Sequence, residues 1–443
     1  MNISFEKTDN VNGVLTVSME KADYQEKVEK TLKDYRRKAN VPGFRPGMVP
    51  MGLIKRQFGV SVKAEEVNKL LGEKVYEYIR ENKVEMLGEP MPKEDVAVDI
   101  EKDDNLTFAF DIAIAPEFTA QLTAKDKIDY YKITIDDKLI NDQIDMYASR
   151  AGKYDKVEVF EGKDMLKGTL TELGVENPLV VEDAVIMPDY IKNDDQKKLF
   201  EGSKVNDVVT INPSVAYDSD VEISSLLKIT KEDVANHKGE FTYQITEITR
   251  FKKAEVNQEL FDSVFGKDAV KSEEEFKQKI AEGLKTQLEV NSDYKFLQDV
   301  RAHMEKKVGK LEWPEALLKK IMLNNNKDKG EDFVEKNYEG SVKELGWHLI
   351  KEQLVKASDI KIDDKDVLET AKGAVRAQFA QYGMSNVPDE LVENYAKEQI
   401  SKKENVDSLV DRAIDLKLID ALKKLVKLNE KEITLDEFNK MMA

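Results

Sequence analysis

The sequence predicts a multidomain α+β protein: an N-terminal α+β domain, a β-rich middle domain and an all-α C-terminal domain. Three observations predict it. Alternating apolar and polar residues over 2–20 and 105–114 enclose stretches whose apolar residues recur every three or four positions. Short alternating runs separated by turns fill residues 154–250. Beyond residue 272 helical spacing dominates, and no proline occurs between Pro314 and Pro388. At roughly 150 residues per domain, a chain of 443 residues admits about three domains.

The elements follow in order. Ile3 and Phe5, then Leu15, Val17 and Met19, alternate around the turn-rich Asp9-Asn10-Val11-Asn12-Gly13, which predicts a hairpin. Tyr24, Val28, Leu32, Tyr35 and Ala39 mark one face of a helix. The loop Val41-Pro42-Gly43-Phe44-Arg45-Pro46-Gly47 ends it, and Pro50 opens a short helix. Val67, Leu70, Leu71, Val75 and Ile79 mark another. Residues 94–100 alternate, as do Leu106, Phe108, Phe110, Ile112 and Ile114. The unit reads β-β-α-α-β-β.

Its charge is unlike that of the rest of the chain, whose net charge is −18. Lys30, Lys33, Arg36, Arg37, Lys38, Arg45, Lys55 and Arg56 share their window with one acid, Asp34. A solvated helix face is one reading; a docking patch for an anionic partner such as RNA is the other. The loop favours docking: Phe44 and Arg45 sit among prolines and glycines, which give a tip with stiff ends and flexible joints. The competing reading folds Phe44 back under the loop.

Gly43-Phe44-Arg45-Pro46-Gly47-Met48-Val49-Pro50 resembles the G-F-R-x-G-x-x-P signature of the trigger factor family, bacterial ribosome-associated chaperones. The resemblance extends to domain order and total length. It implies a ribosome-docking domain over 1–114, an FKBP-like domain over 151–249, and a discontinuous helical client-binding domain formed by 115–150 plus 250–443. It also implies a ribosome-binding site made of Gly43, Phe44, Arg45, Pro46 and Gly47, with Arg36, Arg37 and Lys38 beside it. Phe44 would enter an apolar crevice of an exit-tunnel protein, and Arg45 would pair with a carboxylate or an RNA phosphate. Pro46 stands where family members often carry a basic residue, so one ionic contact is missing.

In the middle segment, Val205, Val208, Val209 and Ile211 predict one strand, and Phe241, Tyr243, Ile245 and Ile248 the last. Gly202–Ile211 resembles part of the FKBP fold. The active-site side departs from the family: the P-G-F-E turn has no counterpart, its place taken by Asn193-Asp194-Asp195-Gln196-Lys197-Lys198. Leu170 and Glu172 replace an aromatic residue and a glycine. Prolyl isomerisation needs a dry apolar pocket, because the twisted amide is less polar than the planar one. The expectation is a retained fold with weak or absent isomerase activity, and no catalytic residue is assigned.

The remainder reads as seven or eight helices. Ser272 to Glu275 is a capping box; Trp313-Pro314, Asp363-Asp364 and Pro388-Asp389 are helix starts; Val406 to Leu422 is an amphipathic run. Most such stripes are bundle core. Phe379, Tyr382 and Met384, beside Gln378, Gln381 and Asn386, form a mixed aromatic, methionine and amide patch suited to varied clients.

Composition limits the alternatives. The absence of cysteine excludes disulfides and thiolate chemistry, and three dispersed histidines give no metal-ligand spacing. No phosphate-cradling motif appears, so an ATP-independent mechanism without cofactor or metal is expected. No signal peptide or membrane span is visible, which predicts a cytoplasmic protein. The expected function is a chaperone that docks near the nascent-chain exit and shields unfolded polypeptides; self-association as a dimer off the ribosome is implied by resemblance. The competing functions are a prolyl isomerase acting on folding clients and a ribosome-free holdase or scaffold.

Overall fold

The computed structural model describes residues 1–443 except Val41, Gly43, Pro46, Glu94, Asp95, Ala97, Gly383, Ser385 and Asn386. Strands β1 (Asn2–Lys7) and β2 (Asn12–Met19) form the expected hairpin. Its turn is held by Asp9, whose carboxylate accepts from the backbone N–H groups of Val11 and Asn12, each at 2.8 Å. Helix α1 (Lys21–Lys38) starts at a Glu20–Asp23 capping box. Helix α2 (Met51–Glu81) is one element where two were expected. No proline interrupts it, and its buried face runs from Ile54 and Val62 through Val67 to Val75, so its glycines cost less than a break would.

Strand β3 is only Met91–Pro92, and β4 is Leu106–Ala113. The strand expected over 94–100 does not form at its described residues. Asp99 instead turns the chain, accepting from the N–H groups of Glu101 and Lys102 at 3.1 and 3.2 Å. Glu94, Asp95 and Ala97 of that stretch lie outside the described residues. The sheet order is β1-β2-β4-β3, all antiparallel. Leu15, Val17, Leu106 and Ile112 of the sheet bury against Tyr24 of α1 and Val67, Leu71 and Val75 of α2.

Strand β5 (Lys127–Ile133) is an element the sequence reading did not separate from the connector. Helix α3 (Asp137–Arg150) follows, capped by Asp136. The middle segment holds β6 (Lys153–Val157), β7 (Met165–Glu172), β8 (Val180–Ile186), α4 (Asp194–Lys198), β9 (Val208–Ile211), α5 (Pro213–Ala216), α6 (Asp220–Leu227) and β10 (Phe241–Lys252). Val205 precedes β9 rather than belonging to it. Long β10 pairs with β6, β7 and β9, and β8 completes the sheet beside β7. Gly168 of β7 is required where it stands: an added Cβ would meet Gln244 O at 2.2 Å and the Tyr243 ring at 2.9 Å.

Eight helices follow among the described residues: α7 (Gln258–Phe265), α8 (Glu273–Val308), α9 (Glu315–Asn325), α10 (Gly330–Ala357), α11 (Asp364–Gln381), α12 (Asp389–Ser401), α13 (Lys403–Leu425) and α14 (Leu435–Met442). One strand, β11 (Lys427–Ile433), interrupts them and pairs with β5. At the start of α8, the Glu275 N–H donates to Ser272 Oγ at 3.1 Å, while the Glu275 carboxylate reaches back to Lys271 N at 2.8 Å.

The chain forms two compact units. The first gathers Met1–Tyr130, Asp293–Asp363 and Val410–Glu430. Within it, Phe296, Val300 and Met304 of α8 pack with Ile350 and Leu354 of α10, Leu418 and Leu422 of α13, and Ile128 of β5. A separate seam joins Leu87, Met91 and Ala113 to Leu317, Leu318 and Ile321 of α9. The second unit gathers Tyr131–Ser292, Asp364–Leu409 and Lys431–Ala443. It contains the middle sheet, a core of α3, α7 and α8 around Phe261 and Phe276, and a pair formed by α11 and α12.

Asp126 ties three distant segments of the first unit. Its carboxylate lies 2.8 Å from Lys307 Nζ and 3.0 Å from His303 Nε2, and it accepts from Thr123 N at 2.8 Å. Its carbonyl accepts from Lys427 N at 2.9 Å. Burial pushes this carboxyl up, but the bonds from Lys307, His303 and Thr123 outweigh burial and hold it well below the usual carboxylate range. A carboxyl lowered by folding stabilises the fold above its unfolded pKa and loses that contribution as pH falls through the folded one. Asp126→Asn is therefore expected to destabilise the first unit by about 2 kcal/mol at neutral pH. Urea unfolding across a pH series checks this: the gap from the native chain should close only in acid well below the ordinary aspartate pKa of about 4.

Candidate functional site

The tip after α1 rests on a small core of its own. Val49 is wholly buried with Leu32, Ile54 and Val62, and Phe58 packs beside them. Tyr35 stacks on Phe58 with ring centroids 5.5 Å apart. The Met48 N–H donates to Arg45 O at 2.9 Å, and Gly47 adopts φ +82°, a left-handed conformation that suits glycine. On this base Phe44 is 41% and Met48 68% exposed, and Arg45 is exposed. Phe44 is thus not folded under the loop. Gly43 and Pro46 lie outside the described residues.

Arg36, Arg37 and Lys38 form the last turn of α1, where cations also suit the helix dipole. Arg37 pairs with Asp34 at 3.3 Å. The Arg36 Nε is buried without a hydrogen-bond partner. Among the described residues, Lys30, Lys33, Arg36, Lys38, Arg45, Lys55 and Arg56 make no ion pair, whereas Lys7, Lys21, Lys27 and Lys74 of the same region each have a carboxylate partner. The window thus holds seven cations without an ion pair among the described residues, together with an exposed aromatic and an exposed thioether. The sequence reading named Phe44 and the charges but passed over Met48 and Tyr35, whose only signal was their nearness to the loop.

The second candidate surface lies in the second unit. Phe379 lies in the last turn of α11, and its carbonyl accepts from the N–H groups of Tyr382 and Met384, each at 3.0 Å. The Phe379 ring meets Tyr395 of α12 edge-on, centroids 5.4 Å apart, and so is partly core. Arg376 and Asp389 join the two helices at 2.7 Å. Phe379 and Met384 also line a groove of about 450 Å³ with Tyr147 of α3, Val264 of α7, Val387 and Leu391. Tyr382, 74% exposed, does not line it. Gly383, Ser385 and Asn386 are outside the described residues. Tyr147, Val264 and Leu391 were not legible as site residues, because they come from three segments distant in sequence.

The middle sheet has a filled interior. Phe200, Phe241 and Tyr243 are wholly buried, and the Tyr243 hydroxyl lies 2.9 Å from Leu166 O and 3.0 Å from Ala184 O. Leu170 belongs to this core. Glu172 is buried at the end of β7, its carboxylate 2.9 Å from His237 Nδ1 and accepting from Leu179 N at 3.2 Å. Residues Asn193–Lys198 form a surface turn and α4, capped by the Asn193 side chain. Among the described residues, no cluster of three or more His, Asp or Glu side chains is arranged to hold a metal ion, and no helix is long and apolar enough to cross a membrane.

Comparison with known proteins agrees with this organisation. Residues 1–147 match the family "Bacterial trigger factor protein (TF)", 154–253 match "Probable trigger factor, FKBP-like domain", and 292–442 match "Probable trigger factor, C-terminal domain". Among similar proteins, the trigger factor of Pseudomonas aeruginosa (strain LESB58) is 22% identical over 99% of this chain and 98% of its own length. That of Rickettsia canadensis (strain McKiel) is 22% identical over 100% of this chain and 98% of its own. A solved structure reported as "Promiscuous Substrate Recognition in Folding and Assembly Activities of the Trigger Factor Chaperone" is similar in fold, with a TM-score of 0.51 at 16% identity, covering 95% of this chain and 99% of that one. With three trigger factor models matching in order along the chain and relatives of that name aligning end to end, the chain belongs to the trigger factor family of molecular chaperones.

Proposed function

We propose that this chaperone docks on the ribosome near the nascent-chain exit through the tip at Phe44, Arg45 and Met48, and shields emerging polypeptides without ATP. The observation that carries the reading is the coincidence of an exposed aromatic tip with seven cations that have no carboxylate partner, in a chain of net charge −18. An aromatic and an arginine on a short tip give contact area and a planar donor fork at low entropic cost, which suits a protein crevice beside RNA phosphates. Residues 1–114 serve as the docking domain, 151–249 as the FKBP-like domain, and 115–150 with 250–443 as the client-binding domain. The free chain works in the cytoplasm and, by family likeness, self-associates as a dimer off the ribosome.

Clients are held in part by the groove at Phe379 and Met384, where flexible and aromatic side chains accept varied apolar segments. Tyr382 adds an exposed ring at its margin.

A second reading, catalysis of prolyl isomerisation, is favoured by the FKBP-like fold. The polar Asn193–Lys198 turn and the buried Glu172 speak for weak or absent activity, because a twisted amide needs a dry apolar wall.

Four outcomes are expected. The native chain co-sediments with ribosomes, and Phe44→Ala with Arg45→Ala weakens this by about tenfold or more. Binding by the native chain falls steeply between low and moderate salt. Equal sedimentation of native and double mutant sinks the docking site. Met384→Glu with Leu391→Glu reduces suppression of aggregation of an unfolded protein at stoichiometric amounts while ribosome binding stays; unchanged suppression removes the groove from the client surface. In a proline-peptide assay, the full chain accelerates the cis-to-trans step little or not at all, and clear turnover reinstates the isomerase reading.

A further inference from the structure

The chain has 14 methionines and no cysteine, so its readily oxidised sulfur is all thioether. These thioethers differ sharply in access. Met48 is the most exposed of those described, at 68%, followed by Met384 at 48%; Met19 and Met304 are 1% and 0% exposed. The two most exposed methionines thus stand on the two candidate binding surfaces. Met48 is fixed in place at the tip: its N–H is held by Arg45 O, and its neighbour Val49 is anchored in the core beneath.

We propose that Met48 is a redox-modification site, oxidised by peroxide-class oxidants to the sulfoxide, and that this weakens ribosome docking; the proposal rests on the docking reading above. The balance is simple. The sulfur lone pair attacks one oxygen of hydrogen peroxide, an S–O bond forms and the O–O bond breaks. Sulfur loses two electrons, and the departing oxygen leaves as water. The product is a polar, chiral side chain where the tip had presented an apolar one, so the contact it makes with a crevice must desolvate an S–O dipole. The change is reversible by thiol-dependent sulfoxide reductases, one for each epimer. Oxidation of Met384 belongs to the client groove and leaves docking untouched.

The test treats the full native chain with limiting hydrogen peroxide, maps methionine oxidation by peptide mass spectrometry, and measures ribosome co-sedimentation before and after. Met48 is expected to oxidise first, with Met19 and Met304 spared and the circular dichroism unchanged. Affinity should fall about tenfold, as for loss of an apolar anchor. Met48→Leu, whatever its own affinity, should lose no further binding on peroxide treatment, and reductase treatment should restore the oxidised native chain. If Met48→Leu remains as peroxide-sensitive as the native chain, or if the chain binds equally well with Met48 oxidised, the proposal is overturned while docking stands. An untreated chain that does not sediment overturns the docking reading and this proposal with it.

Discussion

The first unit depends on closing very long loops. Asp126 meets Lys307 across 181 residues, Tyr130 donates to Asp293 across 163, and Lys423 reaches the same carboxylate across 130, at 2.7 Å. The Gln353 carboxamide accepts from Ala120 N and donates to Phe118 O. Without these ties the buried residues of β5, α8, α10 and α13 would have no reason to share one core. The entropy of loop closure grows only slowly with length, so interrupting the unit with more than a hundred residues costs little in stability. It costs more in folding rate, because nothing rewards the closure until distant segments meet. The middle sheet avoids this by carrying its own core within one continuous stretch.

Charge is partitioned as deliberately as the chain. Elsewhere lysines are spent on neighbours: Lys319 bridges Glu315 and Glu335, Lys372 bridges Glu369 and Glu393, and Arg301 is shared by Glu305 and Glu344. Exposed pairs of this kind add little stability individually. Around the tip the basic residues outnumber the acids: between Lys30 and Arg56 only Asp34 is acidic. Such a patch gains nothing for the fold, since like charges repel.

Much of this was legible in the sequence, for local reasons. Alternation in β2 and β4, the stepwise spacing of α1, and the turn formers around Phe44 each act within a few residues. The helix starts at Pro314, Asp364 and Asp389 are equally local. What escaped needed distant partners. The alternation of Ile128 and Tyr130 in β5 is too short to stand out, and β5 forms because β11, some 300 residues away, supplies an edge. At its described residues the strand read over 94–100 does not form, because Asp99 competes for backbone N–H groups and turns the chain. The tip was legible as a motif; the groove at Phe379 was not, since its other walls come from α3 and α7.

The middle domain fills the covered face of its sheet with its own side chains. An FKBP-like sheet is stable when one face is covered, whatever fills the cover. Here Phe200, Phe241 and Tyr243 fill it, and Leu170 contributes volume at a position where the family places an aromatic residue. Glu172 could not be buried alone, because an unpaired carboxylate in that position would be costly; His237 and the Leu179 N–H make it tolerable. Both Leu170 and Glu172 are therefore tied into the domain's own packing. Meanwhile Val180, Val185, Tyr190 and Val208 stand exposed on its outside. The domain's interior is thus taken up by its own packing, while these apolar side chains remain in contact with solvent.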